Sequence, residues 1–455
     1  MEFESFQDVV GQLPFLKTYS HLLLAFPILD DVSSRREIAD CLSAASLRLT
    51  NAFPWLAAKV VQRRSDPGTT GTFVLEPCSL WSAPNCIIRF KDCSDDSPSF
   101  KEIIKTRGPA SLLDGAMLAP RKAFPESYHE TEENPAPVIA FQANFIRGGL
   151  LLDCAAQHNF IDMNGIEQCY NLLATALRGE PFSKDAIKHG NLDRRSLVPL
   201  LEPHETMQDH QGFTCPEPWD LPPPPVEPGS PFSWRYFRFS PVTLAKLKEI
   251  ATTGSDGTLP YVSTNDALTA FCWQRIISAR LRRRKTPHAV AKFCRAVDAR
   301  KAMGVPQGYM GDLVTIATSK MSFQDLARAP LADVASQLRR DLMHVNNRDY
   351  IRSFATFIAQ TRDKSKISYG GRFNTDTDIG CSSWARVQLA KVSFGPLGKP
   401  SLIRRPDFGP LKSDIYLMPQ TEDGAIDALL CFNDLDFNGL MEDELWKEHA
   451  DCIQA

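Results

Sequence analysis

Between Pro203 and Pro231 the chain carries nine prolines, four of them in the unbroken run Pro222-Pro223-Pro224-Pro225. Each proline removes a backbone donor and fixes φ, so this stretch cannot continue a helix or a central strand and tends toward extended polyproline conformation. A chain of 455 residues is long enough for more than one domain. The proline-rich segment therefore predicts residues 1–202 as a first unit, 203–231 as a linker and 232–455 as a second unit.

Both units alternate helix and strand signals. Ser34-Arg35-Arg36-Glu37 reads as a capping box, with Ile38, Cys41, Leu42, Ala45 and Leu49 following at helical spacing until Phe53-Pro54-Trp55. Val138–Ile146 and Leu150–Gln157 read as apolar strands joined by a turn at Arg147-Gly148-Gly149. Ser263-Thr264-Asn265-Asp266 supplies capping side chains for a helix that ends in Arg280, Arg282, Arg283, Arg284 and Lys285. Strands and helices interleaved on both sides of a linker predict an α/β protein of two layered units.

Composition narrows the function. Hydrophobic residues make up 43%, which is globular, and a net charge of −3 argues against a chain built to neutralise nucleic-acid phosphates. The acidic start lacks the basic n-region of a signal peptide, and Leu22–Leu29 is too short to span a bilayer. Twelve cysteines without a C-x-x-C pair read as reduced, buried thiols. The expectation is a cytoplasmic protein with no membrane or nucleic-acid partner. No G-x-G, Walker A, H-E-x-x-H or G-x-S-x-G pattern occurs, and the nine histidines show no ligand-like spacing, so no metal is expected.

A histidine four residues before an aspartate remains. It occurs twice, His158…Asp162 and His189…Asp193, where composition alone accounts for about one. Context separates them: His189 lies in a polar stretch read as a solvated turn, whereas His158 ends an apolar strand. A ring on a strand end can reach a cleft while a rigid sheet holds it, although a satisfied core histidine is the bland alternative. Cys381-Ser382-Ser383-Trp384 offers hydroxyl and indole donors suited to an oxyanion, against a plain polar loop with a buried aromatic anchor. Lys292–Arg300 alternates as a half-buried strand, in which Arg300 is a candidate structural partner for Asp162. The basic run Arg280–Lys285 suits a helix C-terminus and could also attract a phosphorylated cofactor.

Taken in order, Gly11-Gln12-Leu13-Pro14, Phe53-Pro54-Trp55, Gln157-His158, Phe293–Arg300, Ser382-Ser383-Trp384 and Leu397-Gly398-Lys399-Pro400 resemble the BAHD-type acyl-CoA transferases, in particular their fungal trichothecene 3-O-acetyltransferase branch. The resemblance implies two chloramphenicol acetyltransferase-like domains, each a mixed sheet with flanking helices, around a central solvent channel. It implies His158 as general base, Asp162 as an orienting group, Trp384 and Ser383 at the reacting atoms, and Arg300 and Gly395 in structural roles. It also implies acetyl-CoA as co-substrate, met by Ser263, Arg282, Arg283, Arg295, Ser382 and Ser383, with no metal and a small-molecule alcohol as acceptor, the enzyme acting as a monomer. Two departures stand out. Ser393 occupies the place of the family's aspartate in the turn containing Gly395, and Asn159-Phe160-Ile161 are bulkier than usual, which predicts a reshaped pocket. A pericyclase or isomerase reusing the fold without coenzyme A, or a non-catalytic binding protein, are the rival readings.

Overall fold

The structure is a computed structural model that describes residues 3–63, 68–124, 130–215, 231–253, 259 and 261–454. Most of the proline-rich segment, residues 216–230, lies outside the described residues, while the stretch from Pro203 to Cys215 is described. Its strands are, in chain order, β1 Tyr19–Pro27, β2 Ala58–Arg63, β3 Thr72–Pro77, β4 Ile88–Asp92, β5 Ile139–Ile146, β6 Gly149–Gln157, β7 Phe232–Phe239, β8 Val290–Asp298, β9 Val314–Ser322, β10 Asp378–Ser383, β11 Leu402–Arg404, β12 Asp414–Leu417, β13 Ile426–Asn433 and β14 Asp451–Ile453.

They form a five-stranded sheet of order β11-β1-β6-β5-β4, a seven-stranded sheet of order β14-β7-β13-β12-β10-β8-β9, and the hairpin β2-β3. Both large sheets mix parallel and antiparallel pairs: β4 runs parallel to β5, and β10 parallel to both β8 and β12. The larger sheets are the two mixed sheets expected, with one exchange between them. Three residues from the second half, Leu402, Ile403 and Arg404, pair with Ala25, Leu24 and Leu23 at the edge of the first sheet.

Local sequence explains the elements near the site. Strand β5 turns into β6 through Arg147-Gly148, with Ile146 opposite Gly149 and Gly148 at φ +70°, a conformation that glycine adopts without a Cβ penalty. Both strands are buried along their whole length. Alternation sends Leu150, Leu152, Cys154 and Ala156 to one core and Leu151 to another. After His158 the chain turns into the helix Met163–Leu177, whose Ile166, Cys169, Tyr170 and Leu173 are buried at helical spacing.

The second sheet covers one face with the helices Pro241–Thr253, Thr264–Arg284 and Leu331–Val345, through Phe237, Phe293, Ile379 and Leu417. Its other face turns Trp234, Tyr236, Leu429 and Cys431 into the core of the first half. The first long helix corrects the capping expectation. It begins at Val32, capped by Asp31, whose carboxylate accepts from the Ser34 backbone N–H at 2.9 Å, so Ser34 is inside the helix. An aspartate caps as well as a serine and stands one residue outside the first turn. His189 likewise lies on a short helix, Lys184–Gly190, and not in a turn.

Candidate active site

His158 follows the last residue of β6, and its backbone N–H donates to the Thr18 carbonyl at 2.9 Å, so the ring stands on the end of a fixed strand. A quarter of its side-chain surface is exposed. Nδ1 is buried and has no hydrogen-bond partner, which leaves the edge carrying Nε2 as the open one. The ring is neither walled off nor bonded at both nitrogens. Residues 159–161 are buried: Asn159 donates to the carbonyls of Leu13, at 3.1 Å, and Gly11, while Phe160 and Ile161 lie in the core, where their bulk is packed.

Asp162 caps the helix Met163–Leu177 by accepting from the Gly165 N–H at 2.9 Å. Arg300 donates to both of its oxygens, each at 2.8 Å, and the Leu313 N–H adds a fourth bond at 3.1 Å. Burial works against this charge, but the guanidinium and the backbone donors outweigh it and hold the Asp162 pKa below the usual carboxylate range. A carboxylate with four donors has no lone pair left for a substrate. Arg300 also donates to Asp298, at 3.0 Å, and to the Gly311 carbonyl, at 2.7 Å.

The other predicted residues divide into two groups. A cavity of about 420 Å³, its open mouth included, is lined by Asp162, Met163, Val297, Ser382, Ser383 and Trp384 among others. It brings the His158 loop and the Ser-Ser-Trp segment together, although His158 itself does not line it. Trp384 is buried, and its indole N–H donates to the Ser382 hydroxyl at 3.0 Å. Ser383 donates to the Asn265 side chain at 2.7 Å. In this arrangement both Trp384 and Ser383 give their protons to neighbouring side chains and not to the cavity. The Ser382 hydroxyl, accepting from Trp384, keeps its own proton to give.

The residues expected at coenzyme A are mostly committed elsewhere. Ser263 forms a full capping box with Asp266 and accepts from Arg339 at 2.8 Å. Arg295, buried, pairs with Asp266 at 2.9 Å and with the Leu338 carbonyl. Arg282 pairs with Asp443 at 3.3 Å and Arg283 with Asp436 at 2.8 Å. These two stand at the far end of a helix of 21 residues, about 30 Å from Ser263. The basic run is thus matched by acids arriving near the C-terminus, which no local pattern announces. Among the described residues no group of His, Cys, Asp or Glu is arranged to hold a metal, and no helix is long and apolar enough to cross a membrane.

Gly395 has φ +59°, and a Cβ there would lie 2.6 Å from the Leu177 carbonyl, at the end of the helix that Asp162 begins. Beside it, Arg178 donates to the Ser393 backbone carbonyl at 2.7 Å and to Glu180 at 2.7 Å. Gly395→Ala is expected to cost about 1–3 kcal/mol through the forced φ and the clash, read as a lower thermal unfolding midpoint.

One residue that sequence reading missed completes the site. Asp312, wholly buried, places Oδ2 3.6 Å from His158 Nδ1.

Comparison with known proteins places this arrangement. The model of the Transferase family matches residues 116–444, and that of the trichothecene 3-O-acetyltransferase-like N-terminal domain matches residues 18–177. The chain belongs to the Transferase family, the BAHD-type acyltransferases, and is an acyl-CoA-dependent O-acetyltransferase. It is 47% identical over 450 residues to O-acyltransferase pigD of Monascus ruber, covering 98% of each chain. It is 36% identical over 454 residues to the trichothecene 3-O-acetyltransferase TRI101 of Fusarium sporotrichioides, covering 98% of this chain and 96% of that one. The crystal structure of F. graminearum TRI101 complexed with coenzyme A and deoxynivalenol superposes with a TM-score of 0.90 at 34% identity, covering 98% and 99% of the two chains. Vinorine synthase shares the fold, with a TM-score of 0.65 at 14% identity over 95% of this chain and 90% of that one.

Proposed function

We propose that this enzyme moves an acetyl group from acetyl-CoA to a hydroxyl of an apolar secondary metabolite such as a terpenoid, alkaloid or polyketide, with His158 as general base. The observation that carries the reading is the His158 ring, fixed at its strand end with the Nε2 edge open, in the loop whose Asp162 lines a cavity together with Ser382. A neutral imidazole takes the proton of the bound alcohol as its oxygen attacks the thioester carbonyl. The Ser382 hydroxyl donates to the oxyanion, and the imidazolium then protonates the departing thiolate. No acyl-enzyme is needed, because both substrates are held together and the gain is positional. The structure of a relative at 34% identity with coenzyme A and deoxynivalenol supports the two-substrate assignment. The two halves, residues 1–202 and 232–455, act as two acyltransferase domains of one monomer in the cytoplasm.

The test is transfer of labelled acetyl from acetyl-CoA to a panel of metabolite alcohols, with deoxynivalenol as one member. Failure across the panel together with no detectable coenzyme A binding would sink the proposal. With an acceptor in hand, Ser382→Ala is expected to lower kcat about 10²–10³-fold, as loss of one oxyanion donor does, with KM for acetyl-CoA little changed. An unchanged kcat would remove Ser382 from the mechanism.

A further inference from the structure

We infer that Asp312 is the positioning residue for His158: its carboxylate holds the proton on Nδ1, so that Nε2 is the nitrogen left free to act as base. The inference rests on the general-base reading above and adds to it a partner outside the His158…Asp162 motif.

Three observations carry it. The Asp312 carboxylate has no exposed surface, and neither of its oxygens has a hydrogen-bond partner among the described residues. Nδ1 of His158 is the matching orphan, buried and unpartnered, 3.6 Å from Asp312 Oδ2. Two buried groups in this state are costly apart and satisfy each other by a small approach. The separation is too long for a hydrogen bond and within reach of one, as is common for catalytic pairs before substrate is bound. The third observation is the frame. Asp162 accepts from the backbone N–H of Leu313, and Arg300 donates to the carbonyl of Gly311, so the Asp162–Arg300 pair grips the residues on either side of Asp312. Asp162, with every lone pair used, acts on the histidine at one remove: it fixes the loop that carries the carboxylate facing the ring.

The charges around the pair set its behaviour. Asp162 and Arg300 lie next to Asp312 on the frame side, and Asp8, Arg194 and Tyr309 lie beyond, with Tyr369 from the second half. Burial pushes the Asp8 carboxyl up to about 7, so this neighbour adds little negative charge below that pH. Burial alone lowers the His158 pKa, but Asp312, with a smaller push from Asp162, outweighs it and the net direction is upward. A base must be neutral to work, so the acid limb of kcat/KM in the native enzyme is expected above the ordinary imidazole value of about 6.5.

The experiment uses the full chain labelled with ¹⁵N-histidine; nine histidines keep the spectrum sparse, and His158→Ala identifies the resonance. The expected result is a His158 ring protonated on Nδ1 with a raised pKa, and in Asp312→Asn a fall of about one pH unit or more with weakened tautomer preference. With acceptor, Asp312→Asn is expected to lower kcat about tenfold or more and to move the acid limb to lower pH, leaving KM for acetyl-CoA unchanged. Asp312→Glu is expected to recover part of the pKa. A native ring protonated on Nε2, or a titration in Asp312→Asn that superposes on the native one, would overturn the inference, and the native spectrum decides even if the variant fails to fold. If the titration shifts while His158→Ala still transfers acetyl normally, the general-base reading falls and the pair stands. If His158→Ala is dead and the titration does not shift, the pair falls and the base stands.

Discussion

Replacing His158 by alanine is expected to leave a folded protein that binds coenzyme A and transfers acetyl about 10²–10⁴-fold more slowly, the share of the rate that a positioned base supplies. Folding should survive because the ring contributes little to packing: a quarter of it is exposed, and its buried nitrogen makes no hydrogen bond. The strand end is held by the backbone bond from His158 N–H to Thr18, which alanine keeps. Steady-state transfer at saturating acetyl-CoA, with coenzyme A affinity measured separately, checks the expectation. Near-normal turnover in a protein that still binds coenzyme A would remove proton transfer at this position from the mechanism.

The second large effect concerns stability. Arg300→Met is expected to destabilise the fold by about 3–5 kcal/mol, the range seen when one partner of a buried ion pair is deleted, because it strands the Asp162 carboxylate. The guanidinium makes bonds to Asp162, Asp298 and the carbonyl of Gly311, and all of them disappear together. The effect has a pH signature. The folded-state pKa of Asp162 is depressed, so its contribution is complete above the unfolded carboxylate value of about 3.9 and is lost as pH falls through the lower folded value. Chemical denaturation of native protein and variant at pH 7 reads the difference. A change below about 1 kcal/mol would mean that water enters and replaces the guanidinium. The paired change Asp162→Asn with Arg300→Met is expected to cost less than Arg300→Met alone, since it removes the stranded charge.

What was legible in the sequence follows how local the signal is. The β5–β6 hairpin, the long helix capped by Ser263 and the strand through Phe293 show through because alternation and helical spacing are read over a dozen residues at once. His158, Asp162 and the Ser382–Trp384 segment stand out as candidates because each sits in a short motif at the end of such an element. Arg300 was proposed as a partner for Asp162 from its strand, and the structure brings the two into a bidentate pair. Asp312 was missed because nothing near it is periodic. Its one clue is a lone acid in the otherwise apolar run Tyr309-Met310-Gly311-Asp312-Leu313-Val314, and its meaning depends on a ring from another part of the chain. The basic helix end was misread for the complementary reason: Arg282 and Arg283 look free until Asp443 and Asp436, more than 150 positions later, are folded against them. A three-residue strand such as Leu402–Arg404 is too short to carry a period at all.

That short strand bears on how the protein is made. The edge of the first sheet stays open, with the outward-facing hydrogen-bonding groups of β1 between Leu23 and Ala25 unpaired, until residues 402–404 have left the ribosome. A nascent chain halted at the proline-rich segment would present an unpaired strand edge to its neighbours, an invitation to self-association. The second half thus seals the first, and that edge is covered only once residues 402–404 have been made.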